Sequence, residues 1–253
     1  MDILVLLKMV PDVVEELEVA ADGKSLNTDF LRTIVNERDE HALEQALLLK
    51  ERHGGKVTVL SVDAPELDDV LFTALAKGAD RAVKITDADP ALGTRATAQL
   101  LAEVAPTFLP ADLVLCGVQA MDDLDGQVAP MLAQALGLPY LGIVTQVTSG
   151  DGAAAVVTEF PGGVRGEFEI ALPAVLGVQA AEKPPRYVPV AKVRAVMKSA
   201  QIESVAAPSV EAAGVEVRQL AKPQVTGHAE MIDGAPEEIA GKICDLLAQR
   251  GLL

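Results

Sequence analysis

The clearest candidate for a binding site is the loop 117–127. It follows an apolar run and precedes a helical pattern. Asp125 is suited to cap the helix that follows, and Gly126 has no side chain to obstruct close approach. We therefore expect the N–H groups of Gly126, Gln127 and Val128 to be free at the positive end of that helix. Anionic groups dock at such helix starts. The loop predicts a phosphate site.

The same loop is acidic, and this opposes a phosphate. Asp122, Asp123 and Asp125 place three negative charges beside the predicted site. The site works only if backbone amides face the phosphate while the carboxylates face solvent or ribose hydroxyls. The alternative is that the acidic run is a solvated turn.

Two other loops qualify because ligands of open parallel sheets bind beyond the carboxyl ends of the strands. One is 8–12, directly after the first apolar run. The other is the helix start at Asn36, Glu37, Arg38 and Asp39, where Asn36 is a good N-cap and Asp39 stands close to a capping-box position. This second loop is either a ligand contact or simply a cap.

Conventional catalytic groupings are missing from the sequence. There is no G-x-G-x-x-G after the first strand, no Walker loop and no G-x-S-x-G elbow. His41, His53 and His228 have no metal-ligand spacing, and Cys116 and Cys244 each lie in an apolar run, where we expect them to pack as small hydrophobic residues. We nominate no catalytic residue and no metal ligand, and the chain resembles a binding protein.

The elements that would position these loops alternate between strand and helix. Strand-like runs are predicted at Ile3–Leu7, 56–62, 81–85, 112–116 and Ala174–Val178, and helical periods at 37–52, Leu67–Lys77, 94–105 and 127–136. Gly78 stands where a left-handed helix C-cap is expected. The pattern is typical of an α/β fold with a doubly wound parallel sheet.

Two segments depart from this alternation. The runs 154–160 and Val164–Ala171 flank Pro161-Gly162-Gly163 and predict a β-hairpin insertion. After residue 183 the chain is proline-studded, so we assign 1–183 to the α/β domain and 184–253 to an extended C-terminal arm that ends in a helix at Pro236–Gln249. Such an arm either folds back on its own domain or grips another subunit, and we favour the second.

Composition excludes several function classes. Acidic residues outnumber basic ones 37 to 21, giving a formal charge of −16, so phosphate backbones of nucleic acids are not expected partners. The first apolar run is too short for a signal peptide, and no later run approaches the roughly 20 residues of a membrane span. We expect a cytoplasmic protein without direct membrane insertion.

Several ordered features resemble the β-subunit family of electron-transfer flavoproteins, which includes the FixA proteins, over nearly the whole chain. They are Ile-Leu-Val-Leu-Leu-Lys at 3–8, Asn36 with the helix start 40–47, Ala-Leu-Ala-Lys-Gly-Ala-Asp-Arg-Ala at 74–82, Gly117 with Gln119, Ala120 and Asp122, the hairpin turn 161–163 leading to Leu-Pro-Ala-Val at 172–175, and Pro185-Arg186-Tyr187. The closing segment 231–234 is most similar to members that serve methylotrophic-type dehydrogenases.

The resemblance implies an adenine nucleotide alpha hydrolase-like sheet that binds AMP, beside an α-subunit that holds the redox-active FAD. The implied AMP contacts are Leu6, Lys8, Asn36, Glu37, Arg38, Asp39, Val62, Val118, Gln119, Ala120, Met121, Asp122, Asp123, Leu124, Asp125, Gly126, Gln127, Val128 and Ala129. They coincide with the strand ends chosen above from physical reasoning.

The resemblance also implies flavin and partner contacts. Val13 stands where some members place a Tyr near the flavin ring. Arg186, Tyr187 and Val190 fall in the family's docking region for a flavin-dependent dehydrogenase, with Val190 as its apolar anchor. Alternatively, Val190 packs on its own domain.

The sequence thus predicts an electron carrier subunit that is not itself an enzyme. It would bind AMP and, with the FAD-bearing α-subunit, shuttle electrons from a dehydrogenase to a downstream acceptor. One alternative is a bifurcating flavoprotein in which FAD replaces AMP in the cleft, and the triplet 10–12 is of the type found in such members. A less favoured one is a nucleotide sensor of the universal-stress type.

Overall fold

The fold is built on one nine-stranded sheet, seen in a computed structural model that describes residues 1–89, 92–123, 125–150, 152–210, 215–224, 227 and 229–253. The strands are β1 (Ile3–Leu7), β4 (Val57–Val62), β5 (Arg81–Thr86), β6 (Leu113–Gly117), β7 (Tyr140–Ser149), β8 (Ala153–Phe160), β9 (Val164–Ala171), β10 (Ala174–Val178) and β11 (Glu203–Ala206). Their order is β11-β5-β4-β1-β6-β10-β7-β8-β9. A separate antiparallel pair joins β2 (Met9–Pro11) to β3 (Thr33–Val35).

The described residues form the helices α1 (Glu37–His53), α2 (Leu67–Lys77), α3 (Thr94–Val104), α4 (Val128–Leu136), α5 (Val190–Met197) and α6 (Pro236–Gln249), with a 3₁₀ turn at Ala105–Phe108. Of these, α1 and α2 pack on one face of the sheet, and α3 and α4 pack on the other. The five predicted strands and the predicted helices are confirmed, with ends that agree within one residue.

Strand β1 shows why the sheet forms the centre of the molecule. All five of its residues are buried, as expected for a central strand of a parallel sheet covered on both faces. Ile3, Val5 and Leu7 pack with residues of α1 and α2, whereas Leu4 and Leu6 pack with residues of α3 and α4. Alternate side chains of β1 therefore belong to two separate cores, one on each face of the sheet.

The β-hairpin predicted around the turn 161–163 is confirmed as β8 and β9, which pair antiparallel along their full length. The hairpin extends the sheet through β7, which the sequence did not predict. β7 runs parallel to β10 and antiparallel to β8. Its register against β10 shifts between Leu176 and Val178, and this irregularity weakens the alternation by which a strand is recognised.

The arm ends in the predicted helix, α6, but also contains elements that the sequence did not predict. α5 packs against α2, and β11 pairs parallel with β5 at the edge of the sheet. The expectation that the arm is extended up to its final helix is therefore wrong at α5. Short elements of eight and four residues carry too little periodicity to be recognised from sequence. The boundary at residue 183 stays a prediction.

No helix among the described residues is both long and apolar enough to span a membrane.

Candidate functional site

A cleft opens where β1, β4 and β6 end, which is the position expected for ligands of an open parallel sheet. Its volume is about 930 Å³, including the part open to solvent. The lining residues come from the three strand ends and the segments that follow them, from the start of α1, from α3 and the segment before it, and from the start of α4: Leu6, Leu7, Lys8, Met9, Asp39, Ser61, Val62, Asp63, Ala64, Asp89, Leu92, Thr97, Leu101, Cys116, Gly117, Val118, Gln119, Ala120, Asp123, Gly126, Val128 and Ala129.

Asp39 ties two of these strand ends together. The backbone N–H of Lys8 donates to its Oδ2 (2.8 Å), and the N–H of Gly117 donates to its Oδ1 (2.6 Å). Burial raises the pKa of the Asp39 carboxyl to about 7, although both backbone hydrogen bonds favour its charged form. Asp39 is therefore a link between β1 and β6 in the floor of the cleft.

Gly117 is required by this link. A Cβ added to it would lie 2.6 Å from Oδ1 of Asp39 and 2.6 Å from Cβ of Arg38, closer than real side chains approach. The start of α1 can therefore touch the end of β6 only because the residue there has no side chain.

The N-cap of α1 is Asn36, but its side chain makes no capping hydrogen bond. Instead, Nδ2 of Asn36 donates to the carbonyl oxygen of Gln119 (3.2 Å). Asn36 is therefore the N-cap, as predicted, but its side chain does not do the capping. This hydrogen bond links the start of α1 to the loop after β6.

Lys8 neutralises part of the acidic loop. Its Nζ lies 2.6 Å from Oδ1 of Asp122 and 2.7 Å from Oδ1 of Asp123. Burial lowers the pKa of Lys8, but the hydrogen bonds with the two carboxylates outweigh that effect, and the net pKa is raised. The ammonium group therefore stays charged, and two of the three aspartates that oppose a phosphate are already paired.

The third aspartate departs from its predicted role. Oδ1 of Asp125 accepts hydrogen bonds from the hydroxyl of Thr94 (2.8 Å) and from the N–H of Gln127 (3.3 Å). The N-cap of α4 is Gln127, so the expectations that Asp125 caps this helix and that the N–H of Gln127 is free are both wrong. The helix proper begins one residue later, and the first N–H groups of any helix lack partners within it.

The structure brings most of the predicted AMP contacts to the cleft, but not all. Those that do not line it are Asn36, Glu37, Arg38, Met121, Asp122, Asp125 and Gln127. Arg38 instead donates from Nη1 to the carbonyl oxygen of Gln179 (2.7 Å), and Met121 is exposed. Leu124 lies outside the described residues, as does His228.

Sequence reasoning missed several lining residues. Asp63 and Ala64 directly follow β4, so the strand-end rule applied to that strand would have found them. Thr97 and Leu101 reach the cleft from the side of α3, and Cys116 lies at the end of β6. Burial raises the pKa of the Cys116 thiol, which agrees with the expected packing role, whereas Cys244 is exposed on α6, contrary to that expectation.

The predicted docking residues lie at the start of the arm. The guanidinium of Arg186 is held within the chain, with Nη2 2.8 Å from Oε1 of Glu44 and Nη1 2.6 Å from Oε1 of Glu51. Tyr187 is 83% exposed and Val190 is 60% exposed, so the alternative that Val190 packs on its own domain does not apply. Val13, predicted near the flavin, is 55% exposed. Whether these residues contact a partner or a flavin stays a prediction.

Comparison with known proteins adds an independent finding. The family model described as the electron transfer flavoprotein domain matches residues 26–210. The chain is 34% identical over 264 residues to the electron transfer flavoprotein subunit beta of Methylophilus methylotrophus, covering 98% of each chain. It is 32% identical to the subunit of the same name from Syntrophomonas wolfei, covering 96% of this chain and 94% of that one. The protein FixA of Azorhizobium caulinodans is 38% identical over 156 residues, 60% of this chain and 55% of FixA.

Proposed function

Because the chain belongs to the electron-transfer flavoprotein β-subunit family, which includes FixA, we propose that it is the AMP-binding subunit of a two-subunit electron carrier. An FAD-bearing α-subunit would complete the carrier and accept electrons from a dehydrogenase. Family membership supports a role in electron transfer. The identity of the nucleotide and of the partners is our proposal.

The observation that carries the AMP assignment is the composition of the cleft. Leu6 and Val62 provide apolar walls from the ends of β1 and β4, which suit an adenine ring. Val128 and Ala129 bring the positive start of α4 to the cleft, which suits a phosphate. The charged Lys8 also lines the cleft and would offer the phosphate a cation.

A second nucleotide is favoured by one observation. The triplet Val10-Pro11-Asp12 resembles that of bifurcating members, and its first two residues lie in β2, directly after the cleft residues Lys8 and Met9. In that alternative FAD would occupy the cleft. The apolar walls and helix start would serve the adenylate half of FAD equally well.

Nucleotide extraction from the purified α/β heterodimer separates the two candidates. We expect one FAD and one AMP per heterodimer if the proposal holds. Two FAD and no AMP would replace it by the bifurcating alternative. A heterodimer with one FAD and no second nucleotide would contradict both candidates.

The variant Lys8→Met locates the site. It removes the cation and leaves Asp122 and Asp123 unpaired beside the phosphate, so we expect AMP to bind about tenfold more weakly or worse, which corresponds to about 1.4 kcal/mol. The control is Lys50→Met, since Lys50 pairs with Asp80 and neither residue lines the cleft. Equal AMP affinity of the two variants would place the nucleotide elsewhere.

A further inference from the structure

We infer that Glu44, Glu51 and Arg186 form a clamp that fixes the pose of α5, so that Arg186 is a positioning residue for partner docking and does not itself contact the partner. The inference rests on the proposed function and on the prediction from sequence that the segment with Arg186, Tyr187 and Val190 docks the dehydrogenase. It reassigns Arg186, which the sequence placed in the docking surface, to a role within the chain.

The clamp is a dense set of charge-assisted hydrogen bonds. The backbone N–H of Arg186 donates to Oε2 of Glu44 (3.0 Å), Nε donates to the same oxygen (2.9 Å), and Nη2 donates to Oε1 (2.8 Å). Nη1 donates to Oε1 of Glu51 (2.6 Å), which lies seven residues, or about two turns, further along α1. Planar two-oxygen pairing of this kind fixes orientation as well as distance.

Burial makes the clamp strong. The Glu44 side chain is only 4% exposed, so little water competes for its oxygens. The hydrogen bonds to Glu44 are the main reason that the pKa of Arg186 is raised, with a smaller contribution from Glu51. A buried carboxylate without Arg186 would have no cationic partner, and the chain therefore has a physical reason to keep the contact closed.

The tether from the clamp to α5 is short and stiff. Three residues separate Arg186 from Val190, and the last of them is Pro189, whose φ is −61°. The other end of α5 is also anchored, because β11 continues the sheet and Glu203 forms a two-point ion pair with Arg81 (2.9 and 2.8 Å). The helix is therefore held between two fixed points.

Besides its packing on α2, α5 depends on these anchors for its order. It has eight residues and buries none of them completely, whereas isolated helices shorter than about 12 residues are marginal in water. Val193 and Val196 are half-buried, which leaves Val190 and Met197 exposed seven residues apart, on the same side of a helix. By fixing the orientation of α5, the clamp helps to set the direction in which Val190 and Met197 point.

The test uses the α/β heterodimer and the dehydrogenase purified from the native host by its ability to reduce wild-type heterodimer. For Arg186→Met we expect KM for the heterodimer to rise about fivefold or more, kcat to stay within about twofold, and FAD and nucleotide content to be unchanged. We also expect the α5 amides to exchange hydrogen about tenfold faster in the free heterodimer. Arg186→Lys should fall between, since it keeps the charge but not the planar pairing.

Two further variants keep the result interpretable. Glu44→Gln combined with Arg186→Met avoids an unpaired buried carboxylate, and we expect it to reproduce the rise in KM without loss of folded protein. Lys50→Met is the matched control, because it removes an ion pair between α1 and Asp80 that does not touch the arm. It should change neither KM nor exchange.

The outcomes separate the inference from the function on which it rests. Unchanged KM in Arg186→Met would overturn the clamp, and so would a raised KM with unchanged exchange at α5, which would make Arg186 a direct contact. The variant Val190→Asp tests docking by α5 itself. If its KM equals that of the wild type, the docking proposal fails independently of the clamp.

Discussion

Asp39 is the side chain on which the geometry of the cleft floor depends. Its two carboxylate oxygens accept the N–H groups of Lys8 and Gly117, so one residue of α1 sets the distance between the ends of β1 and β6. A residue that stands close to a capping-box position in the sequence thus has a tertiary role. The sequence predicted that Asp39 lies at the cleft, and it lines the cleft, but its contacts could not be predicted, because both N–H donors to its carboxylate come from distant strand ends.

We expect Asp39→Asn to lower the free energy of unfolding by about 1–3 kcal/mol at neutral pH, because the amide has one acceptor oxygen for two buried N–H donors. The loss should depend on pH. The Asp39 pKa of about 7 in the folded chain exceeds the ordinary aspartate value of 3.8, so the folded state binds more protons and the wild type loses stability as pH rises between these values. The loss of stability levels off above pH 7. The variant has no carboxyl at this position and therefore does not show it.

Urea unfolding at pH 5 and pH 8 measures both effects. The advantage of wild type over Asp39→Asn should be larger at pH 5. Asp245→Asn serves as control, because Asp245 is exposed on α6 and its replacement removes no buried carboxyl. A difference between wild type and Asp39→Asn that stays constant across this range would show that the carboxyl does not titrate there.

At the scale of elements, β11 converts part of the arm into sheet. Val205 packs against the core formed with α3 and α4, and Ala207 continues the ladder by donating its N–H to the carbonyl oxygen of Thr86 (2.8 Å). This strand gives the arm a fixed point on its own domain, which the proline content of the sequence did not suggest. The arm therefore folds back at β11, whether or not its later part grips another subunit.

We expect Val205→Ala to lower the free energy of unfolding by about 1 kcal/mol, because it deletes two partly buried methyl groups next to that core. The matched control is Val215→Ala in the same arm, where the side chain is 73% exposed and the change should stay within about 0.5 kcal/mol. Urea unfolding of the heterodimer measures both. Equal losses would mean that β11 is not part of the folded sheet in solution.

At the scale of the whole molecule, α6 presents an apolar face that no other described residue buries. None of its residues is buried, and Ile243 and Leu246 are more than 40% exposed. A helix with one apolar side gains its stability from burying that side. We therefore expect the α-subunit to cover it in the carrier.

The variant Leu246→Asp should weaken the α/β heterodimer about tenfold or more, since it places a charge where an apolar contact is expected. Gln249→Asp, three residues further along the same helix, adds the same charge at a polar position and should have little effect. Sedimentation of the purified heterodimers over a dilution series measures the dissociation constants. Equal constants for the two variants would show that α6 does not take part in the subunit interface.

The sequence by itself determined the alternation of strands and helices and the positions of the strand ends. Apolar runs such as Ile3–Leu7 and helical periods such as that of Leu67–Lys77 are local signals, so their ends could be predicted closely. The loop after β6 and the helix start at Asn36 were found in the same way. Their meeting at one cleft follows from the rule for parallel sheets.

Which side chains of those loops face the cleft, and which hold it together, depends on contacts between residues that are distant in the sequence. The pairing of Lys8 with Asp122 and Asp123 joins residues more than 110 positions apart, and the clamp of Arg186 on Glu44 joins residues 142 positions apart. No local pattern encodes such partners, because they are brought together by the packing of α1 and the order of the strands. The physical reason is that burial, and not residue type alone, determines whether a charged side chain binds a ligand or binds the chain itself.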